Sequence, residues 1–135
     1  MSLTCESDYT IYKNGKEFKQ LTDKEVLVVS MDDLEKGDVL KIVPAVLSGK
    51  ITLKSIERNQ GIPNYSGIIE VHKKEEGLVI INEVLLEEYL YTVVPSEMPS
   101  YYHEQALMAQ AVCARTYAYT KMKNAGLKDL GAHLD

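Results

Sequence analysis

The chain has 135 residues, 45% of them hydrophobic, and a formal net charge of −5 from 15 basic and 20 acidic side chains. One domain with its own core fits that size and composition. The acidic balance, with no long lysine or arginine run, argues against nucleic acid as a partner. No apolar run reaches membrane-spanning length and the first residues lack a signal peptide's basic and apolar regions, so a membrane is expected to matter only through an anchor missing from this sequence.

Residues 1–8 are expected to be a disordered N-terminus or an expression remnant, with Cys5 a stray thiol or the trace of a lipid-attachment site. A β-rich part follows over 9–81. Tyr9-Thr10-Ile11-Tyr12 and Lys16-Glu17-Phe18 flank Asn14-Gly15, a pair that accepts the positive φ angles of a tight hairpin. Val26 to Val29, Val39 to Val43 and Lys50 to Ile56 are rich in β-branched residues and read as further strands. Gly67 to Val71 and Leu78 to Ile81, joined by Lys73-Lys74-Glu75-Glu76-Gly77, read as a second hairpin with a solvated turn.

A helical part is expected over 82–126. Asn82 is placed to cap a helix from Val84 to Val94, whose Leu86, Tyr89, Leu90 and Val93 form an i, i+3, i+4, i+7 apolar stripe, with Pro95 as its stop. A second helix is expected from Tyr102 to Lys123, capped by Ser100 and closed at Asn124-Ala125-Gly126. Ala106, Ala109, Ala111, Ala114 and Ala118 thin it, which suggests burial on several sides, with Cys113 a small buried thiol. With no Cys-x-x-Cys spacing, neither a zinc knuckle nor a thioredoxin-like site is expected. Gln110 and Arg115 stand out against this small apolar background. They fit an exposed stripe as well as a cleft beside Glu97, and if buried they need hydrogen-bonding partners.

The junction Val93-Val94-Pro95-Ser96-Glu97-Met98-Pro99 holds one carboxylate between two prolines, which predicts a rigid, non-helical corner. Two readings of Glu97 fit that setting. It is a surface or capping acid of a Pro-bounded turn, or a proton donor desolvated by Val93, Val94 and Met98. The positive end of the following helix would then oppose the effect of desolvation. With no tryptophan and nine tyrosines in the chain, sugar stacking would fall to Tyr101 and Tyr102, with Tyr91 or Tyr117 as further candidates, although Tyr117, like Tyr89 and Tyr119, reads first as helix packing.

Ile80 to Val84, Leu86 to Tyr91, the Pro-Ser-Glu-Met-Pro series and Gln110 to Ala118 together resemble the stage II sporulation protein D family, also described as the amidase-enhancer or LytB-like domain. The resemblance is strong over 65–126. It implies an α+β domain over 9–135, truncated at its C-terminus, with a β-rich first part packed against two helices. It also implies a bacterial peptidoglycan lytic transglycosylase whose catalytic glutamate is Glu97, with Tyr101, Tyr102, Gln110, Arg115 and Tyr117 as candidate substrate contacts. Thr92 stands where family members usually have glycine, and Tyr102 lies near a position often held by tryptophan. Some members are similar in holding zinc through a histidine and later cysteines. His133 is the matching candidate here, and otherwise no cofactor is expected. The implied setting is extracytoplasmic, at the wall or the outer face of the cytoplasmic membrane, in sporulation or general wall remodelling. The implied partners are glycan strands and a cell-wall amidase or other sporulation proteins. The alternative is a non-catalytic module that binds peptidoglycan and stimulates a partner amidase.

Overall fold

A computed structural model describes residues 1–58, 61–124 and 127–134, in two compact units, Met1–Glu83 and Val84–Asp135. In the first unit, the strands are β1 (Ser2–Cys5), β2 (Tyr9–Lys13), β3 (Lys16–Leu21), β4 (Leu27–Val28), β5 (Val39–Pro44), β6 (Ile51–Leu53), β7 (Asn64–Tyr65), β8 (Ile68–Lys73) and β9 (Leu78–Glu83). They form two antiparallel sheets, ordered β4-β1-β6-β7 and β3-β2-β5-β8-β9. With the two helices of the second unit this is a β-rich α+β fold.

Period-2 alternation sets the register. On β5, Leu40 and Ile42 are buried while Val39, Lys41 and Val43 are half-buried on the other face. Ile11, Ile42 and Ile69 are paired across three neighbouring strands, and Leu40 pairs with Val71 in the next row. These side chains share one core with Leu3 and Cys5 of β1 and Ile51 and Leu53 of β6. The first residues are therefore ordered: Leu3 and Cys5 are buried between β4 and β6, which corrects the expected disordered terminus and mobile thiol. β7 is a second short strand with too little pattern to be legible in advance.

The Asn14-Gly15 hairpin forms as its chemistry predicts, with φ of 50° and 81° at the two turn residues. Asn14 then ties that turn to the sheet. Its amide donates to Asp38 at 2.8 Å, and its oxygen accepts from the Val39 N–H at 2.9 Å. Asp38 also accepts from the Glu35 N–H and pairs with Lys13 at 3.0 Å. These contacts, the Asn14 hydrogen bond foremost, hold its carboxyl down at about 2.

The helical unit differs from expectation at each boundary. α1 spans Leu86–Glu97, with Leu85 at its N-cap and no side-chain cap. Asn82 instead belongs to β9 and donates to the Ser66 and Ile68 carbonyls at 2.8 and 3.0 Å, holding the β8–β9 hairpin end. Pro95 does not stop α1, which continues through it to Glu97. A proline in the last turn forfeits one hydrogen bond, whereas Pro99 bars its predecessor Met98 from helical angles. Met98 accordingly sits at φ −141°, ψ 117°.

α2 spans Glu104–Asn124, so Asn124 is its last residue, while 125 and 126 lie outside the described residues. Its start is held by His103 in place of Ser100: the His103 carbonyl accepts from the Ala106 and Leu107 N–H groups, and its Nδ1 accepts from Gln105. Leu107, Ala111, Ala114 and Ala118 fall at i, i+4, i+7, i+11 and make the covered side of α2. The rest of the helix is not enclosed. Met108, Ala109, Val112, Cys113, Tyr117 and Tyr119 are exposed, so Ala111, Ala114 and Ala118 define one seam and Cys113 is not a buried thiol. No helix among the described residues is long and apolar enough to cross a membrane.

Tyr9 supplies a measurable signature of the core. Its ring is buried and its hydroxyl donates to the Glu25 carbonyl at 2.5 Å. Burial first, then the nearby Glu25 carboxylate, pushes its ionisation up to about 12. The folded state favours the neutral phenol, so this stabilisation is intact below the unfolded value near 10 and is lost as pH rises towards 12, amounting to about 3 kcal/mol for a two-unit shift. Urea unfolding at pH 9 and 11.5 is expected to show that alkaline loss in the native chain and much less of it in Tyr9→Phe. Ile42→Ala, by emptying the centre of the isoleucine row, is expected to cost about 2–5 kcal/mol at either pH.

Candidate functional site

Continuation of α1 through Pro95 places Glu97 on a definite helical face. Tyr89, Val93 and Glu97 are spaced i, i+4, i+8 and lie one above the other along α1. On α2, Gln110, Cys113, Ala114 and Tyr117 follow the same rule at i, i+3, i+4, i+7. These seven side chains line one groove of about 310 Å³. The groove lies wholly within the helical unit.

Glu97 is exposed in this groove, which corrects the expectation that Val93, Val94 and Met98 enclose it. Neither Val94 nor Met98 lines the groove with it, and Met98 has already left the helix. Glu97 also ends α1, at the negative pole of that helix, and does not lie at the positive pole of α2, which begins at Glu104. Tyr89 is half-buried at the side of the groove. Burial, followed by the charges of Tyr117 and Glu97, raises its phenol above the ordinary range.

The remaining candidates go elsewhere. Tyr101 and Tyr102, in the connection between the helices, stack on each other with ring centroids 5.4 Å apart and are exposed, and neither lines the groove. Arg115 is five residues beyond Gln110, about 140° around a helix that turns 100° per residue. It cannot share Gln110's flank. Its guanidinium instead forms a two-pronged pair with Glu87 of α1, Nε to Oε1 at 2.7 Å and a second nitrogen to Oε2 at 2.9 Å. That pair joins the start of α1 to a point just past the middle of α2. His133 is exposed beyond the 3-10 turn Lys128–Leu130, and among the described residues no three His, Cys, Asp or Glu side chains converge as metal ligands. The described residues thus do not by themselves fit the zinc implied by the resemblance.

Two groove residues were not legible as such. Tyr89 read as core packing and Cys113 as a buried thiol. The i, i+4, i+8 series Tyr89-Val93-Glu97 carries the signal for Tyr89, but only once Pro95 is allowed inside the helix.

With this geometry in hand, the comparisons bear on the same segment. Residues 74–134 match the family model of the Stage II sporulation protein, SpoIID. An uncharacterized protein of Brachyspira hyodysenteriae is 39% identical over 66 residues, covering 48% of this chain and 18% of that relative. The chain therefore spans under a fifth of the length of the curated relative it matches. No solved structure matches. The resemblance carried by the Pro-Ser-Glu-Met-Pro series thus stands over the matched residues, and is consistent with a place in cell-wall remodelling and sporulation.

The Glu87–Arg115 pair is testable by its pH dependence. Arg115's hydrogen bonds hold the Glu87 carboxyl below its usual range, so the pair stabilises the helices above pH about 4.5 and the effect fades as acid protonates Glu87. Glu87→Gln and Arg115→Ala are each expected to lower the melting temperature of the helical signal at pH 7. The double variant should fall by less than the sum, and all three should converge on the native chain at pH 3.

Proposed function

We propose that the groove is the glycan site of a peptidoglycan lytic transglycosylase, acting in wall remodelling on the outer side of the cytoplasmic membrane, with Glu97 as both acid and base. The observation that carries this reading is the alignment of Glu97 with Tyr89 on α1, facing Gln110 and Tyr117 of α2 across one groove. Ordinary glycoside hydrolysis needs a second carboxylate. Among the described residues Glu97 is the one carboxylate that lines this groove, and the non-hydrolytic reaction needs no other.

In that reaction protonated Glu97 gives its proton to the glycosidic oxygen as the bond to muramic C1 breaks. The C6 hydroxyl of the same muramic acid then attacks C1, and its proton returns to the Glu97 carboxylate. The bond count closes: one C–O bond breaks, one forms, no water is consumed, and a 1,6-anhydromuramic end remains. Gln110 supplies amide donor and acceptor groups for sugar hydroxyls. Tyr89 and Tyr117 supply flat rings for the sugar faces and hydroxyls at their rims.

The exposure of Glu97 favours a second reading, in which the groove holds glycan without cutting it and stimulates a partner amidase. Mass spectrometry of digested cell wall separates the two. The transglycosylase is expected to produce anhydromuramic ends, with a loss of about 100-fold or more in Glu97→Gln, which keeps the side chain's shape but not its proton chemistry. Uncut strands that nonetheless bind would establish the binding module, and cleavage at the native rate by Glu97→Gln would remove Glu97 from the mechanism.

A further inference from the structure

The wall polymer proposed above is anionic, and so is the chain, with its net charge of −5. Any attraction between them has to be local, within about a Debye length of 8–10 Å. Arg115 is the cation that sequence reasoning offers for this task, but both prongs of its guanidinium are occupied by Glu87 on the flank away from the groove. Lys121 takes a different position. It follows Tyr117 by four residues and Gln110 by eleven, which returns it to the flank of α2 that lines the groove. Its ammonium lies 5.4 Å from the centroid of the Tyr117 ring, the ring that forms one wall of the groove.

That contact holds the charge in place without neutralising it. A cation over an aromatic face keeps its full charge and its N–H donors available on the side away from the ring. Among the described residues no carboxylate pairs with Lys121. Glu97 ends α1, and Lys121 sits one turn beyond Tyr117 on α2, just past the last lining residue of the groove on that helix. From Gln110 to Lys121 is about 16 Å along the helix axis, at 1.5 Å per residue. A group bound there belongs to a sugar or branch removed from the one at Gln110.

We propose that Lys121, held over Tyr117, is a specificity-determining cation that binds a carboxylate carried by the glycan strand just past the Tyr117 wall of the groove. This rests on the reading of the groove as a glycan site. Two sources supply the same chemistry: the lactyl carboxylate of a muramic acid whose peptide has been removed, and the carboxylates of an attached peptide stem. A strand of N-acetylglucosamine alone offers neither.

Calorimetric titration of the full chain with three probes tests the assignment: peptide-free muramic-acid-containing strands, the same strands with peptide stems attached, and a neutral N-acetylglucosamine oligomer. Lys121→Gln is expected to weaken binding of at least one carboxylate-bearing probe by about fivefold, the order of a single exposed ion pair. The neutral oligomer should bind unchanged, Lys121→Arg should restore affinity, and raising the salt should erase the native chain's advantage. A deficit confined to the peptide-free strand identifies the lactyl group, and one confined to the stem-bearing strand identifies the peptide. Equal weakening of all three probes, or of none, overturns the role of Lys121 while leaving the glycan site standing. Failure of the native chain to bind any of the three overturns the glycan site and this inference together.

Discussion

Pro99 imposes the constraint on which the helical unit depends. Its ring denies helical angles to Met98, so α1 ends at Glu97 and the carboxyl is carried on the last turn. Pro95, inside the same turn, removes one backbone hydrogen bond without changing the helical phase. Phase is what matters for the site. Were α1 to stop before Pro95, Glu97 would lose its alignment with Tyr89 and Val93 and with it the common groove wall.

The second determinant is the small-residue seam of α2. Alanine at 111, 114 and 118 leaves little side chain between the two helices, so the groups to either side of the seam are brought to their partners across a short gap. On one flank that produces the groove, and on the opposite flank the Glu87–Arg115 pair. The two arrangements are coupled through rotation: a helix that presents Gln110 and Tyr117 to the groove necessarily turns Arg115 away from it. The ion pair on the far flank and the groove wall thus share one rotational setting of α2, although Arg115 itself does not line the groove.

The β-rich unit is organised by different physics. Alternation places its apolar residues on the shared core, and the knot of Asn14, Asp38 and Val39 binds a hairpin turn to the neighbouring strand. The family match begins at residue 74, within the last hairpin of this unit, and runs through the helices. The sporulation-family resemblance therefore covers β9 and the segment that builds the groove.

Local chemistry made much of this legible in the sequence. Asn14-Gly15 specifies its hairpin because few other pairs accept two positive φ angles, and the β-branched runs specify strands because their alternation has nowhere else to bury. The apolar stripe of α1 and the identity of the Glu97 motif were equally open to reading. Tertiary structure alone decided the rest. Whether Pro95 stops a helix or rides in its last turn depends on the loss of one hydrogen bond against the packing of Leu90 and Val93. Whether Asn82 caps a helix or closes a hairpin depends on the carbonyls of Ser66 and Ile68, which are distant in sequence. The burial of Leu3 and Cys5 required strands from more than twenty residues away, and the choice between Arg115 and Lys121 at the groove required the rotation of one helix against another. Sequence fixes short-range conformation through sterics and turn chemistry, but the partner of a polar side chain is a long-range fact.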